Sequence, residues 1–200
     1  MYQYILNSTA HRNSQLPCGP WVMMQQWEQL LFMHQRFPRR VLEHYLPPGL
    51  KLDTYDGDAW ISVITFRVSH VRIRGFPPIP FLNRFLEVNV RTYVKRNGMK
   101  GVYFFSLDAD KLPVVMGARM ATLPYSYAAM SMNMRDGIIS FRSERKGKKL
   151  GSLRAAYQPA GERFYPEGRA LKTGWWSAIF FGLIGMATCI DVAFIIKSGN

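Results

Sequence analysis

Cysteine is nearly absent. Cys18 and Cys189 are the only two in 200 residues, which excludes a disulfide scaffold and any four-cysteine metal site. Histidine is sparse as well, and His11, His34, His44 and His70 share no metal-ligand spacing. The chain carries no P-loop, no dinucleotide-binding glycine fingerprint, no nucleophile elbow and no His-Glu metal helix. No metal and no cofactor is therefore expected. The first twenty residues lack the apolar run of a signal peptide, so 1–20 reads as a flexible leader and a cytoplasmic location is the default. Acids are short too: 13 Asp+Glu against 26 Lys+Arg leave a net charge of +13. What is present suits one globular domain, since 48% apolar residues can build a core and rule out wholesale disorder.

Three dipeptides punctuate the chain: Asp56-Gly57, Asn97-Gly98 and Asp136-Gly137. Each sits between runs rich in β-branched or aromatic residues, the signature of two-residue type I′ hairpins. Leu50 to Tyr55 is expected to pair with Asp58 to Phe66, Glu87 to Arg96 with Met99 to Asp108, and Tyr127 to Arg135 with Ile138 to Arg145. Met23 to Phe32 fits strand or helix. Pro38 to Leu46 reads as a short helix, begun by Pro38 and stopped by Pro47-Pro48-Gly49; Lys111 to Leu123 is a second one, ended before Pro124. Gly75 to Pro80 is a loop. The fold class is mainly β.

The central hairpin collects polar residues. If Asn97-Gly98 closes a regular two-residue turn, Arg91 lies opposite Phe104, Asn89 opposite Ser106 and Glu87 opposite Asp108. Period-two alternation then places Glu87, Asn89, Arg91, Ser106 and Asp108 on one face, with Val88, Val90, Thr92, Tyr103, Phe105 and Leu107 on the other. Such a mixture binds a polar ligand, or it is simply the wet side of an antiparallel sheet.

Several blocks carry a family resemblance. WEQLLFMH from Trp27, LPPGLKLDTYDGDAWISVITF from Leu46, EVNVRTYV from Glu87, GVYFFSLDA from Gly101 and GARMATLPYSYAAM from Gly117 resemble, in order, the YqjF-like family of uncharacterised bacterial proteins. The likeness runs from about Trp21 to about Pro166, giving an expected domain over 21–167, and it favours strand for Met23 to Phe32. The family looks related to the acetoacetate decarboxylase-like superfamily. That kinship implies an antiparallel, cone-shaped β-barrel with a few short helices and a central cavity. The decarboxylases of that superfamily use a Schiff-base lysine with a second lysine beside it. The corresponding turn here, Leu123-Pro124, is followed by Tyr125 and Ser126, and neither is an amine. The resemblance therefore implies a shared cavity without Schiff-base decarboxylation. Its ligand candidates are Arg91, Arg119, Tyr125 and Tyr127, with Glu87, Asn89, Ser106 and Asp108 nearby. Arg91 or Arg119 would hold a carboxylate in a fork of two hydrogen bonds. The ordinary alternatives are an Arg119–Asp108 ion pair and plain sheet packing for the tyrosines. His34, after a strongly apolar run, reads as a core or rim histidine.

The tail departs from the family. Gly174 to Ile196 is 23 residues with Asp191 as its one charge, long enough for a single membrane span. The favoured reading is different. Reading permitted codons of Leu171 to Ile196 one base out of frame yields Glu-Arg-Tyr and later His-His, as in the family's own continuation. A one-base frameshift near Gly168-Arg169 would make 168–200 an aberrant apolar tail and leave the barrel short of its last strands. The gene's nucleotide sequence decides this.

Between Arg135 and Arg154 seven Lys and Arg face only Asp136 and Glu144. This ribbon suits a solvated edge, and no helix-turn-helix, zinc-finger or RNA-recognition signature accompanies it. Nucleic acid is not expected as a partner, and membrane association would run only through 174–196. The sequence thus points first to a barrel binding a small organic acid. The second reading is a non-catalytic protein that binds anionic surfaces through the 135–154 hairpin.

Overall fold

The computed structural model describes residues 20–120, 122–147, 150–159 and 192–197. Nearly all of the expected leader, and most of 168–200, lie outside them. The elements in chain order are β1 (Trp21–Phe37), α1 (Arg39–Glu43), β2 (Lys51–Leu52), β3 (Ala59–Ile73), β4 (Phe85–Arg96), β5 (Met99–Ala109), α2 (Leu112–Met120), β6 (Tyr125–Arg135), β7 (Ile138–Arg145), β8 (Gly151–Tyr157) and β9 (Val192–Lys197). The strands form one sheet in the order β8-β7-β6-β5-β4-β3-β1-β9, with β2 added to β4. Every pairing is antiparallel except β5–β6. Parallel neighbours need a crossover, and α2 supplies it.

All three turns have positive φ at both central positions: 51° and 80° at Asp56-Gly57, 50° and 80° at Asn97-Gly98, and 50° and 78° at Asp136-Gly137. That is the type I′ geometry their residues tolerate. The second and third close long hairpins, β4–β5 and β6–β7, as expected. The first closes only the bridge between Tyr55 and Asp58. The strand expected over Leu50 to Tyr55 shrinks to β2 and pairs with Val94 and Lys95 of β4. The reason is competition: β3 is already flanked by β1 and β4.

The β4–β5 register corrects the polar face. From Arg91 to Arg96 the partners are as expected, but a bulge lies between Val90 and Arg91, leaving Phe105 as the extra residue. Beyond it Val90 pairs with Ser106, Asn89 with Leu107, Val88 with Asp108 and Glu87 with Ala109. One extra residue reverses the alternation of everything after it. Ser106 and Asp108 therefore share a face with Val88 and Val90, and Leu107 joins Glu87, Asn89 and Arg91. Packing explains the bulge: Phe105 is set against Leu42, Leu52, Ala59 and Ile61.

Both faces of the sheet are covered. On the Arg91 face, Leu30, Ile64, Phe66, Val68, Phe85 and Ala109 pack with Val115 of α2, flanked by Trp27, Tyr125 and Tyr127. On the Asp108 face the sheet curls over itself. Leu31, Leu86 and Val88 meet Met132, Ile139, Phe141 and Tyr157 from β6, β7 and β8. Each of the larger buried side chains contributes about 1.5–3 kcal/mol by leaving water. The Tyr157 hydroxyl donates to the Gln29 carbonyl at 2.6 Å, where β1 bulges and Gln29 takes φ 54°.

Helix α1 is shorter than expected, with only Leu42 buried. Val115 anchors α2, and its Leu112, Met116 and Met120 are exposed. The end of the apolar run 174–196 is not helical: Val192–Lys197 forms a strand paired with the first residues of β1. The run is thus not one continuous membrane helix, and among the described residues no helix is long and apolar enough to cross a bilayer.

Candidate functional site

Strand β4 places Glu87, Asn89, Arg91, Tyr93 and Lys95 on one face by alternation. Ser62, Ile64 and Phe66 of β3 stand beside them, opposite Arg91, Asn89 and Glu87 in turn. Next to these on β1 are Phe32, paired with Ile64, and His34, paired with Ser62. On the other side, the parallel β5–β6 register brings Tyr125 level with Leu107 and Tyr127 level with Ala109. Glu87, Asn89 and Arg91 are buried, at 5%, 1% and 6% exposure. A wet sheet face would leave such residues in water, and these three are out of it.

Each group has its own surroundings. The Tyr125 hydroxyl donates to Glu87 Oε2 at 3.0 Å. Burial lifts the Glu87 carboxyl to about 7, against the lowering effect of hydrogen bonds from Tyr125 and Asn89; the Asp108 charge adds to the lift. Burial also pushes the Tyr125 hydroxyl up, and Glu87 reinforces it. Asn89 Oδ1 and Arg91 Nε have no hydrogen-bond partner among the described residues. Arg91 makes no ion pair with any described carboxylate. Its side chain bonds to Tyr93 instead, and burial lowers its pKa. The Tyr93 hydroxyl lies 2.6 Å from Ser62 Oγ, which lies 2.7 Å from His34 Nδ1. Burial, helped by the Arg91 charge, lowers His34 to about 4. At the end of the face Lys95 and Lys100 converge on buried Asp53, at 2.5 and 3.5 Å.

The remaining candidates are placed elsewhere. Asp108 meets Arg145 in a double ion pair on the opposite face, with both contacts at 2.9 Å. Arg145, not Arg119, is therefore its partner. Ser106 is half-buried beside Val90. Arg119 is exposed, and its Nε donates to the Tyr125 carbonyl at 2.7 Å, tying the end of α2 to the start of β6. Tyr127 packs against the α2 cluster. The basic ribbon is partly neutralised: Arg145 turns inward to Asp108, while Arg142 and Lys146 share Glu144. Lys148 and Lys149 lie outside the described residues.

Sequence reasoning missed Ser62 and Tyr93 and gave His34 only a packing role. Alternation from Glu87 reaches Tyr93, so that signal was present. Ser62 needed the β3–β4 register and His34 the β1–β3 register, which a single sequence does not print.

The comparisons with known proteins agree with this architecture. The sequence profile of the DUF2071 family, described as an uncharacterized conserved protein, matches residues 24–176 and so runs past Pro166. The uncharacterized protein YqjF of Bacillus subtilis (strain 168) is 42% identical over 161 residues, covering 80% of this chain and 66% of that protein. The chain thus spans about two thirds of that relative's length. Among solved structures, the enduracididine biosynthesis enzyme MppR superimposes with a TM-score of 0.56 at 13% identity, over 78% of this chain and 68% of that one. It was solved with the condensation product of pyruvate and imidazole 4-carboxaldehyde. An acetoacetate decarboxylase-like enzyme from Sphingomonas wittichii RW1 gives 0.54 at 17% identity, over 81% and 67% of the two chains. At such identities the likeness concerns the fold.

Proposed function

This chain belongs to the DUF2071 family and has an acetoacetate decarboxylase-like fold, and from that premise we propose that its Arg91 face binds a small organic acid. The observation that carries the reading is a buried guanidinium that no described carboxylate neutralises. Burying an unpaired charge costs several kcal/mol, and a bound carboxylate offsets that cost with two charge-assisted hydrogen bonds. Asn89 Oδ1 accepts a donor from the ligand. Glu87, near half protonation at neutral pH beside Tyr125, gives or takes a proton at a second polar group. Tyr125 and Ser126 stand where the resemblance would place an amine pair, so no Schiff base is assigned. That MppR and the Sphingomonas enzyme share the fold supports a cavity for small molecules.

The test is thermal unfolding with acetate and with uncharged glycerol. Acetate is expected to raise the wild-type melting temperature and glycerol to leave it unchanged. Arg91→Met is expected to lose the acetate response while matching or exceeding wild-type stability by about 1 kcal/mol, because it removes a buried unpaired charge. An acetate response that survives in Arg91→Met overturns the reading.

A further inference from the structure

Something other than an acid must fix the aim of Arg91, and the structure supplies a chain of neutral groups drawn from three strands. Arg91 and Tyr93 of β4 are hydrogen bonded side chain to side chain. The Tyr93 hydroxyl is 2.6 Å from Ser62 Oγ of β3, and Ser62 Oγ is 2.7 Å from His34 Nδ1 of β1. Ser62 and Tyr93 are almost wholly inaccessible, at 0% and 1%. A guanidinium donates and never accepts. In a poorly screened interior its charge turns each following O–H dipole away from itself, so Tyr93 donates to Ser62 and Ser62 donates to His34. His34 Nδ1 then ends the chain as acceptor, and the ring proton sits on Nε2.

Resting on the organic-acid reading, we infer that His34, Ser62 and Tyr93 are positioning residues that aim Arg91 at the ligand carboxylate, with His34 in its Nε2–H form. Lowered to about 4, the imidazole is neutral at physiological pH and able to accept. Phe32, 6.0 Å away between ring centroids and nearly parallel, holds the imidazole plane. No described acid is spent on Arg91, so its charge stays available to the ligand. A carboxylate in place of this chain would have fixed the guanidinium equally well and cancelled its attraction for an organic acid.

Two measurements test the inference. Long-range proton–nitrogen NMR on protein with labelled histidine reads the tautomer, the His34 signals being those lost in His34→Asn. At pH 7 an unprotonated Nδ1 is expected, and a protonated Nδ1 overturns the inference. Acetate titration reads the positioning. Tyr93→Phe is expected to bind acetate about tenfold more weakly with a melting temperature a few degrees below wild type. His34→Asn, whose Oδ1 takes the place of the Nδ1 acceptor, is expected to keep the affinity, and His34→Leu to lose about tenfold. If Tyr93→Phe does not fold, Ser62→Ala cuts the chain at the next link. Unchanged affinity in the cut chain overturns the positioning role and leaves the acid site standing. Absence of acetate binding by the wild type overturns the organic-acid reading instead, and the NMR measurement still decides the direction of the chain.

Discussion

Two arginines, Arg91 buried and Arg145 partly buried, stand on opposite faces of the same curled sheet and meet opposite fates. Arg145 is locked to Asp108 by two contacts of 2.9 Å. Arg91, more deeply enclosed, has among the described residues the neutral chain through Tyr93 and no acid. The first arrangement satisfies a charge within the protein, so it serves stability. The second leaves a charge unspent among the described residues, and on that rests the proposal that Arg91 meets an organic acid. Both are largely withdrawn from water, and the partner distinguishes them.

The largest effect expected from this contrast is at the satisfied pair. Asp108→Ala strands Arg145 without its acid and should cost about 3 kcal/mol, read as a lower urea midpoint at unchanged slope. A loss under about 1 kcal/mol would mean that the pair is no more structural than Arg91.

Nearly as large, but hidden, is a pH dependence on the Arg91 face. Glu87 has a raised carboxyl, from 4.5 to about 7. The folded state therefore holds more protons than the unfolded one across that window, and stability falls as pH rises through it, by about 3 kcal/mol. His34 is lowered from 6.5 to about 4, so the unfolded state holds more protons between those values. Its contribution is present above 6.5 and is lost as pH falls toward 4, by a similar amount of about 3 kcal/mol. The two slopes oppose each other, and these two sites together should give a nearly flat profile between about pH 4.5 and 6.5. Glu87→Gln should expose a rise with pH over that span and His34→Asn a fall. Denaturant titrations at a series of pH values check both signs.

The smallest effect is expected at the remaining arginine candidate. Arg119 is exposed and its side chain donates to the Tyr125 carbonyl, so Arg119→Ala should change stability by about 0.5 kcal/mol and acetate binding not at all. Loss of binding there would widen the site beyond the Arg91 face.

Much of the architecture was legible beforehand. Three Asx-Gly turns located two long hairpins, and Pro124 marked where α2 gives way to β6. The family resemblance gave the fold. Two features were not legible, for the same physical reason. Strand pairing is decided by packing at a distance, so the sequence around Leu50 to Tyr55 could not show that β3 had both neighbours filled. Nor could it show that Phe105 would be drawn into an apolar cluster from α1, β2 and β3 and bulge the strand. Strand β8 escaped notice because its inward residues, Leu153, Ala155 and Tyr157, alternate beside a strongly basic stretch. Strand alternation put Glu87, Asn89 and Arg91 on one face and the family resemblance pointed to Tyr125, and the structure brings these four together. Ser62 and His34 were not found, since their roles come from neighbouring strands.

The bulge at Phe105 sets a rule for how this stretch can change over generations. Swapping one side chain for another between Phe104 and Leu107 alters local packing. Dropping a single codon there would rotate the rest of β5 by half a repeat, pulling Asp108 away from Arg145 and delivering a carboxylate to the Arg91 side of the sheet. Here the count of residues matters more than their identity.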